Sequence, residues 1–166
     1  NFTLTDAAGN TGAAATDTAI KVTTLPTVAI GPPSPAAING SGSVNYTVTY
    51  TGANTVSLDV GNVFMTTTSG TAACSTVNVT NGATSTPTVT ISGCAGDGTI
   101  NISISAGTSS DTAGNLDVGA GPGADFTVDA TAPSGYTVSV DQTAINSGNV
   151  SAFSFTFTGA EVGSTY

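Results

Sequence analysis

Apolar residues along this chain fall in short runs that alternate with polar ones. Tyr46, Val48 and Tyr50 stand between Asn45, Thr47, Thr49 and Thr51. Ile100, Ile102 and Ile104 are interleaved with Asn101, Ser103 and Ser105. The same period of two marks Val56, Leu58 and Val60, then Val77 and Val79, then Val89 and Ile91. It returns at Phe126 and Val128, at Tyr136, Val138 and Val140, and at Phe153, Phe155 and Phe157. Phe2-Thr3-Leu4 and Val28-Ala29-Ile30 are shorter pieces of the same kind. A period of two places alternate side chains on opposite faces, so each run predicts a strand with one buried face. Turn signals separate the runs: Asn39-Gly40, Asn81-Gly82, Ala95-Gly96-Asp97-Gly98 and Gly119 to Gly123. Many short strands at about ten-residue spacing predict an all-β, two-sheet antiparallel sandwich.

The pattern also repeats at long range. Ala37-Ile38-Asn39 returns as Ala144-Ile145-Asn146, an offset of 107. At the same offset, Tyr46 to Ala53 returns as Phe153 to Ala160, and Thr24-Leu25-Pro26 as Thr131-Ala132-Pro133. Asp6-Ala7-Ala8-Gly9-Asn10 returns as Asp111-Thr112-Ala113-Gly114-Asn115 at 105. The unit is therefore about the size of one immunoglobulin-like sandwich. Residues 25–130 are expected to be one complete repeat of about seven strands. Residues 1–24 match the C-terminal part of a preceding repeat, and 131–166 the N-terminal part of a following one. The Pro-containing junctions are short and stiff, so neighbours should sit end to end. The expected core of the complete repeat is Tyr46, Val48, Tyr50, Leu58, Val77, Val89, Ile91, Ile100, Ile102, Ile104, Phe126 and Val128. Phe2, Leu4, Tyr136, Val138, Phe153, Phe155 and Phe157 belong to the partial repeats and should be covered by further chain or by another molecule.

Composition narrows the function. Of 166 residues, Lys21 is the single cation against ten acidic side chains, for a net charge of −9. One cation cannot neutralise a phosphate backbone, so nucleic acid is not an expected partner. There is no His, which removes Ser-His-Asp and Cys-His catalysis. No base other than carboxylates stands near the hydroxyl nucleophiles, so an enzyme is not expected. No apolar run approaches the roughly 18 residues of a membrane helix. No signal-peptide pattern opens the chain, and its abrupt start leaves export open. Thr and Ser make up 32 and 18 residues, nearly a third of the chain, as in secreted surface polymers.

The turn Asp111 to Asn115, followed by Phe126-Thr-Val-Asp-Ala-Thr-Ala-Pro133, resembles the bacterial immunoglobulin-like repeats of large surface adhesins and biofilm-associated proteins. A weaker copy lies at Asp6 to Asn10 and Thr24 to Pro26. The resemblance implies an extracellular, cell-surface location, neighbouring repeats as partners, and a stalk that holds a binding domain away from the cell. It also implies calcium near domain junctions in some members, held by acidic residues of these two motifs.

Three groups of residues carry candidate chemistry. Cys74 and Cys94 are expected to form a disulfide, as paired cysteines of exported β-domains do. A hairpin joining them pairs residues whose numbers sum to 168, so Val79 faces Val89 and Val77 faces Ile91. Parity places both cysteines with Thr76 and Ser92 on the outer, polar face. Asp111, Asn115, Asp117, Asp125 and Asp129 form the one acidic cluster. Its oxygens suit calcium, with Asp111, Asn115 and Asp129 as the candidate ligands. The same residues also suit a turn in which Asp111 caps its own backbone and Gly114 takes a positive φ, and that reading is favoured position by position. Asp129 corresponds to Val22 or Lys21 at the first junction, so any metal binding should be uneven along the array. Asn-Xaa-Ser/Thr triplets at Asn1, Asn39, Asn45, Asn78, Asn101 and Asn149 are not expected to be glycosylated; Asn45, Asn78 and Asn101 fall on outward faces. The expected function is an adhesin shaft or surface filament. A strand-exchanging filament subunit, a homopolymer of this chain, or an accessory carbohydrate-binding module of a secreted protein are the alternatives.

Overall fold

The computed structural model describes residues 2–14, 16–160, 163 and 165. The triplet at Asn1 lies outside the described residues. Ten strands lie between Thr27 and Val128: β1 (Thr27–Ile30), β2 (Ala37–Ile38), β3 (Val44–Thr51), β4 (Thr55–Val56), β5 (Val63–Gly70), β6 (Ala73–Thr80), β7 (Thr88–Ala95), β8 (Gly98–Ile104), β9 (Ser109–Ser110) and β10 (Phe126–Val128). They build two four-stranded sheets, β1-β3-β7-β6 and β2-β10-β8-β5, with β4 and β9 paired at one end. Lettered in chain order without that end pair, the sheets read A-B-E-D and A′-G-F-C. Immunoglobulin constant domains set A-B-E-D against C-F-G in the same way. A last hairpin, β11 (Thr137–Val140) and β12 (Phe155–Thr158), follows. No helix of the described residues is long and apolar enough to cross a membrane.

Alternation explains the core. In β3 every second residue turns inward: Val44, Tyr46, Val48 and Tyr50 are buried while the residues between them are exposed. Ile100, Ile102 and Ile104 of β8 meet them from the opposite sheet, with Phe126 and Val128 beside them. The Tyr46 and Phe126 rings contact edge to face across the sheets, with centroids 6.3 Å apart. Each buried phenol keeps a partner, as a buried hydroxyl requires. Tyr46 Oη donates to the Ala124 carbonyl at 2.8 Å, and Tyr50 Oη lies 2.8 Å from Thr108 Oγ1. Burial raises the Tyr46 phenol to about 12, with the Asp125 charge adding to the rise. The expected core residues are buried, apart from Val77, which is half-buried against the cluster.

The structure corrects several expectations. The sandwich is not wholly antiparallel: β2 runs parallel to β10. The first strand is divided in a Pro-rich segment that includes Pro32, Pro33 and Pro35, and prolines lack the N–H a ladder needs. Its first half pairs with β3 and its second crosses to the other sheet, giving eight main strands. The run Val56 to Val60 is not one strand. Asp59 accepts from the Val60 N–H and turns the chain into a 3-10 segment, Val60–Asn62, leaving Val60 exposed. Phe2-Thr3-Leu4 joins no strand, and both Phe2 and Leu4 are exposed. Asn101, expected outward, is buried, with its amide donating to Asp125.

The β6–β7 hairpin has the expected register: Val77↔Ile91, Val79↔Val89 and Cys74↔Cys94. The facing of the cysteines is the opposite of what parity requires. Cys94 belongs to the core and Cys74 packs against it. Ser75 and Gly93 drop out of the ladder together, Gly93 with φ +65°. Each strand slips by one position at the same place, so the pairing survives while the inward face changes parity. Gly93→Ala is expected to lose about 1–2 kcal/mol from left-handed strain, read as a lowered urea midpoint with unchanged slope.

Candidate functional site

Cys74 and Cys94 are bonded, with S–S 2.00 Å and Cα atoms 3.9 Å apart. The bridge joins neighbouring strands of one sheet, unlike the inter-sheet bridge of antibody domains.

The Asp111–Asn115 turn is closed by its own side chains. Asp111 Oδ1 accepts from the N–H groups of Ala113 and Asn115 at 2.8 and 2.9 Å, and Oδ2 from Asn115 Nδ2 at 2.8 Å. Gly114 takes φ +85°, which a residue with a Cβ resists. The Asn115 amide, with the backbone donors behind it, holds the Asp111 carboxyl below its usual range. The first copy is the same object. Asp6 Oδ1 accepts from Ala8 and Asn10 at 3.0 and 2.8 Å, Oδ2 from Asn10 Nδ2 at 2.9 Å, and Gly9 has φ +87°. The flanking bridges match as well, Thr5↔Thr11 against Ser110↔Leu116. The hairpin at the other end copies β1–β3. Val28↔Tyr50 and Ile30↔Val48 correspond to Val138↔Phe157 and Val140↔Phe155, the second strand at the offset of 107 and the first three residues further on, at 110. Their burial differs. Tyr46 and Val48 are 0% exposed, while their counterparts Phe153 and Phe155 are 40% and 53% exposed.

The calcium candidates do not converge. Asp129 follows β10 beside the β7–β8 turn, whereas Asp111 lies past β9, at the end of the sandwich where β1 begins. Asp129 Oδ1 accepts from the Thr131 N–H at 3.2 Å, and both Asp111 oxygens are taken by the turn. The pair therefore does not fit one shared ion within this sandwich, and the turn is the role the geometry assigns to Asp111 and Asn115. Asp117 pins a loop: buried, it accepts from the Ser109 N–H at 2.5 Å, Ser109 Oγ at 3.0 Å and the Gly119 N–H at 2.8 Å. Asp125 accepts from Thr68 Oγ1 and Asn101 Nδ2 at 2.9 and 3.0 Å. Among the described residues, no three His, Cys, Asp or Glu side chains group as a metal site.

Two contacts reach the chain on either side of the sandwich. Asn115 Nδ2 donates to the Val22 carbonyl at 3.2 Å. At the opposite end Asp97 holds the outgoing segment, accepting from the Ala130 N–H at 2.7 Å, the Thr131 N–H at 3.2 Å and Thr131 Oγ1 at 2.5 Å. Sequence reasoning saw Asp97 only as part of a turn. The available signal was the Thr of Thr-Xaa-Pro, a donor in need of an acceptor. The Thr131 hydroxyl, then the Ala130 N–H, hold the Asp97 carboxyl below its usual 3.8. A depressed carboxylate favours the clamped state above its unfolded pKa and stops doing so as pH falls through its folded value. Order at Thr131 should therefore stay flat above about pH 5 and fall below about pH 4. Asp97→Ala should abolish that step, as followed by the Thr131 amide resonance.

No family model, curated protein or solved structure matches this chain.

Proposed function

We propose that this chain is a structural module of an extracellular surface protein, an adhesin shaft or surface filament made of immunoglobulin-like sandwiches in tandem. One observation carries the reading. A complete sandwich is flanked by a second copy of its own Asp turn on one side and of its own first strand pair on the other. Residues 1–24 then close a preceding repeat and 131–166 open a following one, whose remaining strands cover Phe153 and Phe155. The disulfide supports an oxidising, extracellular location. The resemblance of Asp111 to Asn115 and Phe126 to Pro133 to bacterial adhesin and biofilm-protein repeats supports the same reading. The work is mechanical: rigid units with short linkers project or assemble.

A strand-exchanging filament subunit is the second reading, favoured by the exposed Phe153, Phe155 and Val138 face. Size separates the two. An antibody to residues 25–130 should detect, on a reducing denaturing gel of the native source, a polypeptide many repeats long. A single band at the mass of 166 residues would overturn the array and favour the subunit.

A further inference from the structure

We propose that the Asp-Xaa-Ala-Gly-Asn turn is a docking element between repeats, the Asn115 amide gripping the backbone of the segment that enters the sandwich at Val22. The tandem reading is needed only to name that segment as the end of a preceding repeat; the contact itself is internal to this chain. The turn is pre-organised. Its bonds are the same at Asp6–Asn10 and at Asp111–Asn115, although only the second copy adjoins the complete sandwich. Asp111 takes one hydrogen of the Asn115 amide and so fixes its plane. The amide's other donor direction then reaches the Val22 carbonyl.

The incoming segment stays exposed up to Leu25, which is 42% exposed, and is seated only at Pro26. Exposure falls from 88% at Ile20 to 38% at Val22, and Pro26 is fully buried. A cleft of about 400 Å³ separates Val22 and Leu25 from Ala53, Asn54 and Thr112. The partner is thus a chain segment outside the strands that offers a carbonyl and an apolar side chain. An amide-to-carbonyl bond reads backbone, not side chain. That accounts for a turn repeated at both places while the position two residues before each Thr-Xaa-Pro changes from Val22 to Asp129.

The test uses the full chain in solution. In the unmodified protein the side-chain amide protons of Asn115 should exchange about three- to tenfold more slowly than those of Asn10, the factor one added hydrogen bond supplies. Asn115→Ala should lower the heteronuclear NOE of residues 22–25 to that of a mobile linker, with the β3 and β8 amides still protected. Asn10→Ala breaks the same turn without the contact and should leave 22–25 as they were. Equal exchange at Asn115 and Asn10, or ordered 22–25 in Asn115→Ala, overturns the proposal. The exchange comparison decides even if the Ala variant fails to fold. A short native polypeptide on the gel would remove the preceding repeat but leave this contact standing; equal exchange would remove the contact but leave the array standing.

Discussion

Phe126→Ala is expected to destabilise the complete sandwich by about 3–5 kcal/mol, a large part of the roughly 5–15 kcal/mol that holds a domain folded. The ring is fully buried and meets Tyr46 edge to face. It also stands in a strand of three residues, Phe126–Val128, placed between antiparallel β8 and parallel β2. Truncation therefore leaves a cavity at the contact between the two sheets and weakens the strand that ties the divided first strand to its second sheet. The surroundings cannot collapse easily, because Ile100 and Ile102 are held in register by β5. Phe155→Ala is the internal comparison. Phe155 also alternates correctly for a core, but it is half-exposed on β12. Its loss should leave the main urea transition within about 0.5 kcal/mol. Equal shifts for the two variants would mean that the β11–β12 hairpin and the sandwich share one core.

The same contrast shows what was legible in the sequence. Period two identified β3, β7 and β8 because the face each turns to the core is apolar, even where, as at Asn101 of β8, the other face is covered too. It missed β5, whose Thr66, Thr67, Thr68 and Ser69 are exposed and which is held mainly by its ladder to β8. The β-branched run of threonines was the available signal. Parity failed at the cysteines because alternation counts residues, and the slip at Ser75 and Gly93 is a matter of backbone angle. The Asp111 turn was readable because the bonds that close it all lie within five residues, whereas its contact to Val22 was not. Asp97 was not, because Thr131 stands 34 positions away and only the fold brings them together. Asp111 and Asp129 show the converse: residues close in sequence lie at opposite ends of the sandwich, so this sandwich alone does not bring the two together.

Opening the Cys74–Cys94 bridge should cost about 3 kcal/mol, the loop-closure value for a ring of this size. The sequence separation is 20, and the strand it fastens is the one most in need of a fastener. β6 is the outer strand of its sheet, with β7 as its ladder partner, and its inward residues Val77 and Val79 are only half-buried. Hydrophobic burial alone therefore holds β6 weakly, and an exposed edge strand is where fraying begins. Two routes separate the contributions. Reduction of the unmodified protein removes the cross-link and keeps both sulfurs. Cys74→Ala with Cys94→Ala removes the cross-link together with the sulfur of Cys94, which sits in the core, and should lose about 1 kcal/mol more. Amides of 73–80 should gain exchange before those of β3 and β8. If reduction leaves the urea midpoint unchanged, β6 is held by its ladder and the bridge serves another purpose. If all strands lose protection together, the sheet β1-β3-β7-β6 opens as one unit and the edge has no separate stability.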